Sequence, residues 1–257
     1  MLITGASRGI GAALAGELAR RGHDLVLIAR SLSDLERAAT KIGGAECFVA
    51  DLADTEGIEE LVATIEAAGP IDVLVNNAGV DLTGRFWELP PGRIEHLLTL
   101  NLASPLLLAR AVLPAMLERG SGHIVNVSSL SGTNTIPGLV PYSASKAGLS
   151  HATGVLRAEL RGTPITTTLV EIGPVESDMM SSLRAHGPTR RSVQRLARLR
   201  LTYDLDMDKV AVAVADAIER RSRHVRLPRR NALFPLLAEA PRRMTEWLLT
   251  GVDHRQD

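Results

Sequence analysis

Residues 4–11 read TGASRGIG. The stretch follows a short apolar run, LIT (2–4), and opens a helical pattern, ALAGELARRG, that ends at Gly22. Strand, glycine turn, helix is the context in which such a motif carries chemistry. Glycines permit a tight turn and let backbone approach a pyrophosphate. The helix that follows offers unpaired N–H groups and a partial positive charge. The spacing is G-x-x-x-G-x-G rather than the more widespread G-x-G-x-x-G. Gly5, Gly9 and Gly11 frame this turn, and Ser7, Arg8 and Ile10 within it are candidate cofactor contacts.

Outward from the turn, short apolar runs alternate with longer helical patterns. Strands are expected at 24–30, 46–51, 71–79, 123–129 and 165–174, besides 2–4. Helices are expected at 33–44, 55–70, 93–118 and 143–160, with Pro105 and Pro114 as kink positions in the third. Strands that alternate with helices of ten or more residues imply βαβ units and a mostly parallel sheet. The runs look apolar throughout, as strands buried on both faces do. The expectation is an α/β protein: one Rossmann-type doubly wound parallel sheet with helices on both faces. Its 257 residues read as one domain (1–257), with a substrate-covering loop at about 178–205 and a C-terminal extension at about 228–257.

Composition narrows the function classes. The formal net charge is zero, so no global field favours nucleic acid. The single Cys47 excludes an internal disulfide and fits a reducing compartment, and the N-terminus lacks a secretory pattern. A cytoplasmic location is expected. No apolar run reaches the roughly 18–20 residues of a membrane span. Charge is uneven, however. Residues 184–230 hold 13 Lys or Arg against 5 Asp or Glu, a local net of +8. A solvated helical surface, an anionic substrate and membrane lipid all fit that excess.

The end of the second strand bears on cofactor choice. A carboxylate there would hold a ribose 2′-OH and favour NAD. This chain has Ala29-Arg30-Ser31, and Arg8 sits inside the glycine turn. Two guanidiniums suit a 2′-phosphate, so NADP(H) is expected over NAD(H).

The chemistry points to PYSASKAG, residues 141–148. The chain has two tyrosines and three lysines, against 26 arginines, yet Tyr142 and Lys146 stand four apart. On a helix they share a face. An ammonium favours phenolate, and a lysine can pass a proton where an arginine cannot. Alone, the pair is weak evidence. Ser129, 13 residues earlier, ends an expected strand, where ligands bind in open α/β sheets. Ser128 should point the other way, because strand side chains alternate.

Taken together, the motifs resemble the short-chain dehydrogenase/reductase family over residues 2–180. TGASRGIG resembles its cofactor turn, and Asp51-Leu52 its adenine contact. NNAG, with Asn77, Ala78 and Gly79, resembles the motif after the fourth strand. Asn101 resembles the helix asparagine, and Ser129, Tyr142 and Lys146 the catalytic residues. The resemblance implies an NADP(H)-dependent oxidoreductase that interconverts a carbonyl and a secondary alcohol. Tyr142 would be the acid or base. Lys146 would lower its pKa and hold the nicotinamide ribose, Ser129 would orient the substrate, and Asn101 would support a relay water. Val175 and Ser177 would meet the nicotinamide end. The chain departs from the pattern in a short first strand and in Ile172-Gly173, where relatives have Pro-Gly. No metal site is read.

The substrate is expected to be a small, apolar carbonyl or alcohol. Met179, Met180, Leu183 and Leu196 are candidate pocket residues, and His186 reads as a surface histidine. The tail, with Trp247 and Arg242-Arg243, offers membrane-surface contact, and the family habit suggests a homo-dimer or homo-tetramer. A non-catalytic NADP-binding sensor is an alternative; it would have no need of Asn101, Ser129, Tyr142 and Lys146 together. A peripheral-membrane hydroxysteroid or retinol-type dehydrogenase is another.

Overall fold

The computed structural model describes residues 1–176, 183, 186–199 and 203–228. Ser177, Met179, Met180 and the tail with Arg242, Arg243 and Trp247 lie outside the described residues. Seven parallel strands form one sheet: β1 (Leu2–Thr4), β2 (Val26–Ala29), β3 (Glu46–Val49), β4 (Val73–Asn76), β5 (Gly122–Ser129), β6 (Ile165–Ile172) and β7 (His224–Leu227). Their order is β3-β2-β1-β4-β5-β6-β7. The winding direction reverses between β1 and β4. A doubly wound sheet opens a crevice at that switch point, beyond the carboxyl ends of its strands.

The helices are α1 (Gly9–Arg20), α2 (Leu32–Lys41), α3 (Ile58–Ala68), α4 (Pro91–Leu98), α5 (Ser104–Arg119), α6 (Val140–Glu159), α7 (Gly187–Arg198) and α8 (Met207–Glu219). Alternation along the strands sends neighbours to opposite cores. Ile3, Val75 and Val125 pack with α1, α2 and α8, whereas Leu2, Leu74 and Ile124 pack with α3 and α5. Local signals set several boundaries. The Ser31 side chain caps α2 by accepting the Asp34 N–H, Asp206 caps α8 through the Lys209 N–H, and α5 stops at Gly120, whose φ is +67°.

Four sequence expectations need correction. The strand β7 was not foreseen, because HVRL is short and two of its residues are polar. The helix α8 also lies in a stretch to which the sequence reading gave no element. The strands are not apolar throughout either. His123, Asn126, Ser128 and Glu171 are buried, and each has a partner. The Asn76 amide donates to Asn126 Oδ1 at 2.9 Å, and Arg226 reaches Glu171 at 2.7 Å across the β6–β7 pair. Edge strand β3 is exposed at both ends. Lastly, the helix expected over 93–118 is interrupted. A wide π-type turn, Thr99–Ala103, separates α4 from α5. Pro105 has no N–H to return to the Asn101 carbonyl, the bond that a regular α-helix would make there.

Together, Pro91–Arg119 is long and apolar enough to span a membrane by length and composition. Here Leu108, Ala109, Val112 and Met116 pack into the core with α3 and the sheet, which is reason enough for its apolar character.

His123 makes the polar interior testable. Its ring nitrogens meet Thr166 Oγ1 at 2.6 Å and Thr168 Oγ1 at 3.0 Å, and burial pushes its pKa down to about 4 from 6.5. The unfolded chain therefore takes up this proton first as pH falls. The stabilisation is complete above the unfolded value and is lost on the way down to the folded one, by up to about 3 kcal/mol. Urea unfolding across that window should show a His123→Gln variant losing less stability than the parent. Equal slopes would contradict the assignment.

Candidate active site

The site begins at the end of β1. Thr4 Oγ1 donates to the Val75 carbonyl at 3.2 Å and accepts the N–H groups of Asn77 and Ala78, both at 3.0 Å. The Asn77 amide donates back to the carbonyls of Thr4 at 2.9 Å and Gly5 at 3.3 Å. These bonds tie the glycine turn to the chain leaving β4, across the switch point. Two glycines are required by the fit. Gly5 has φ +64°, and a Cβ there would stand 2.8 Å from Ala78 Cα. A Cβ on Gly11 would overlap the Gly5 carbonyl oxygen and come within 2.5 Å of Asn77 Nδ2.

Gly9 differs. Its φ is +58°, and open space lies where a Cβ would point. No side chain caps α1, and its first turn holds no acidic residue. The turn is packed from beneath by Gly11 and open above at Gly9. Such a cradle fits a pyrophosphate.

A cleft of about 1200 Å³ runs over the strand ends. That exceeds the roughly 300–1,000 Å³ of common small-molecule pockets and leaves room for a dinucleotide with a substrate. Gly5, Ser7, Arg8, Gly9 and Ile10 line it, as do Arg30, Asp51, Leu52, Asn77, Ala78 and Gly79. Ser129, Tyr142, Lys146 and Val175 line it too. Gly11 and Asn101 do not reach it, and both act from behind the wall.

At the reacting end, α6 carries Tyr142 and Lys146, which are 9% and 5% exposed. Lys146 Nζ donates to the Val127 carbonyl at 3.0 Å and lies 5.9 Å from the centre of the Tyr142 ring. Ser129 lies near enough to Tyr142 to favour its phenolate. Its Oγ also donates to the Ile172 carbonyl at 3.3 Å and is met by Ser131 Oγ at 2.9 Å. Ser128 faces the other way, to the Lys146 carbonyl and Ser150.

Burial raises the Tyr142 pKa to about 12; Ser129 opposes this rise and the Asp81 charge adds to it. Burial also lowers the Lys146 pKa to about 8. This corrects the expected direction for the phenol. Desolvation outweighs any help from the ammonium.

Asn101 stands behind the same wall, fully buried. Its Oδ1 accepts the Val80 N–H at 2.9 Å, and its Nδ2 donates to the Val80 carbonyl at 2.8 Å and to Ser145 Oγ at 3.3 Å. The side chain is thus spent on holding the chain beyond Gly79.

Sequence reasoning missed other lining residues. Asp34 lines the cleft and pairs with Arg37 at 3.0 Å, whereas Arg30 has no carboxylate partner among the described residues. The Ser31 cap sets that placement, since it fixes where α2 begins. Leu183 and Leu196 do line the cleft, and Val193 joins them. His186 is not a plain surface residue; its Nδ1 lies 2.7 Å from the hydroxyl of buried Thr189. The outward face of α7 carries Arg190, Arg191, Arg195 and Arg198, part of the local positive charge.

The reversal point and its glycine cradle define the class: a Rossmann-type dinucleotide-binding protein. Comparisons with known proteins narrow it. Residues 1–187 match the short chain dehydrogenase family. Ketoacyl reductase HetN of Nostoc is 37% identical over 231 residues, covering 88% of this chain and 77% of that protein. A short-chain dehydrogenase from Sphingobium yanoikuyae in complex with NADPH superposes with a TM-score of 0.80 at 30% identity, covering 100% of this chain and 97% of the other. A metagenomic short-chain oxidoreductase in complex with NADP gives 0.72 at 32%, covering 88% and 95%. The chain belongs to the short-chain dehydrogenase/reductase family and is an oxidoreductase that uses a nicotinamide cofactor.

Replacing Asn101 by Ala would strand the Val80 N–H and carbonyl in a part-buried wall. A loss of about 2–3 kcal/mol is expected, the cost of leaving such groups unpaired, read as a lower urea midpoint. An unchanged midpoint would show that the clamp is dispensable.

Proposed function

We propose that the protein is an NADPH-dependent reductase of apolar carbonyl compounds, working through Tyr142, Lys146 and Ser129. The observation that carries this reading is the buried phenol, with Ser129 in the same cleft wall and an amine one turn along the same helix face. A pKa pushed up to about 12 leaves Tyr142 protonated at neutral pH, the form that donates to a carbonyl oxygen.

When bound, the reduced dinucleotide supplies a hydride to the carbonyl carbon. Tyr142 gives its proton to the oxygen as the alcohol forms. Ser129 holds that oxygen in place. Lys146, whose own proton is loosely held, supports the developing phenolate and can replace the proton. Asn101 acts indirectly by fixing the wall at Val80. Gly5, Ser7, Arg8, Gly9 and Ile10 would hold the pyrophosphate, and Asp51 with Leu52 the adenine. Asn77, Ala78, Gly79, Lys146 and Val175 would hold the nicotinamide half. Arg30, without a carboxylate partner among the described residues, would meet a 2′-phosphate, which supports NADPH over NADH. The names of relatives, ketoacyl reductase of Nostoc and a putative ketoacyl reductase of Streptomyces coelicolor, support a carbonyl on an acyl chain. The apolar lining from Leu139, Leu183, Val193 and Leu196 agrees with such a chain.

Tyr142→Phe should lower kcat for carbonyl reduction by about 10²–10⁴-fold while NADPH binding, followed by fluorescence, stays intact. Full turnover in that variant would refute the mechanism. Arg30→Ala should raise KM for NADPH about tenfold to a hundredfold and leave KM for NADH unchanged, as the loss of a charge-assisted contact implies. Equal effects on both cofactors would remove Arg30 from the 2′ site.

A further inference from the structure

Helix α7 is held over the cleft by a contact that the mechanism above does not use. Thr189, in its first turn, is fully buried. The Thr189 hydroxyl donates to the Pro137 carbonyl at 2.9 Å. A hydroxyl has one proton, so at its other side it must accept, and His186 Nδ1 is 2.7 Å away. His186 therefore carries its proton on Nδ1.

Gly138 closes the contact from the opposite side. Its φ is +91°, and a Cβ there would collide with Thr189 Oγ1 and stand 2.9 Å from His186 Nδ1. The Gly138 carbonyl accepts the Gly84 N–H at 3.1 Å, so this loop is itself fixed. The contact has reach in two directions. Along α7, Val193 and Leu196 lie about one and two turns beyond Thr189 on the same face, and both line the cleft. Along the main chain, the same loop leads directly into α6, which carries Tyr142.

We propose that Thr189, clasped between Pro137 and His186, is a positioning residue that sets the height of Val193 and Leu196 over the reacting end, and so selects carbonyl substrates with extended apolar chains. This rests on the reductase reading. The clasp fixes a ceiling rather than a reacting group. Its loss should weaken the grip on a long chain and spare the chemical step.

Two ketones, 2-butanone and 2-decanone, separate these effects. Thr189→Val keeps the shape and removes the hydroxyl. Gly138→Ala attacks the same contact from the loop, and Thr189→Ser restores the proton. The first two should raise KM for 2-decanone about tenfold, the worth of a buried hydrogen bond, with kcat for 2-butanone within about twofold of the parent. Thr189→Ser should stay near the parent. An unchanged ratio of KM values between the ketones, or equal losses of kcat on both, would overturn the proposal. Trypsin cleavage after exposed Arg190, Arg191 and Arg195 gives a readout free of catalysis, and it should quicken in Thr189→Val at temperatures where that variant remains folded. If the parent reduces neither ketone, the reductase reading fails, yet the cleavage rates still test the clasp; unchanged rates would sink it.

Discussion

One hydroxyl holds the crevice together. Thr4 Oγ1 bridges the end of β1 to the chain leaving β4 by giving its proton to Val75 and taking those of Asn77 and Ala78. The β1–β4 ladder pairs Leu2 with Leu74 and Ile3 with Val75, and these side-chain bonds carry the link on into the two loops. Asn77 answers from the other side. With that lock made, Gly5 and Gly11 must be glycine, because backbone occupies the space a Cβ would need. Gly9, outside the lock, keeps open space above it. The phosphate cradle is thus a consequence of how two loops are stapled.

The reacting end obeys a different constraint. Tyr142 and Lys146 are buried ionisable groups in one wall, and burial drives each toward its neutral form. The phenol keeps its proton and the amine holds its own loosely. That polarity suits delivery of a proton to an oxygen. Three polar side chains behind this wall find local partners: Ser128 meets Ser150, Asn101 meets Val80, and Asn126 meets Asn76.

Much of this was legible in the sequence, and the failures have physical reasons. The strand–turn–helix context of TGASRGIG, the alternation of strand and helix, and the strand-end position of Ser129 are local patterns, and the structure brings these residues to one cleft. β7 was hidden because an edge strand needs only one apolar face, and HVRL has one buried residue. The interior polar residues of β5 and β6 were hidden because their partners lie on another strand or on a facing helix. The direction of the Tyr142 shift depends on desolvation, which no spacing reveals. His186 was misread because its partner, Thr189, derives its burial from Pro137 and Gly138, far away in the chain.

Lys146 Nζ, seated on the Val127 carbonyl, has a consequence for timing. A long, flexible side chain ordinarily samples many rotamers and must be stilled when a ligand arrives. Here folding has already stilled it, within a wall that admits little solvent. On the proposed reading, a dinucleotide would meet an amine that is already held in place, and would cost it little further ordering. A bulkier guanidinium in the same wall would have to displace the strand that seats it, so even a chain that uses arginine almost everywhere else keeps a lysine here.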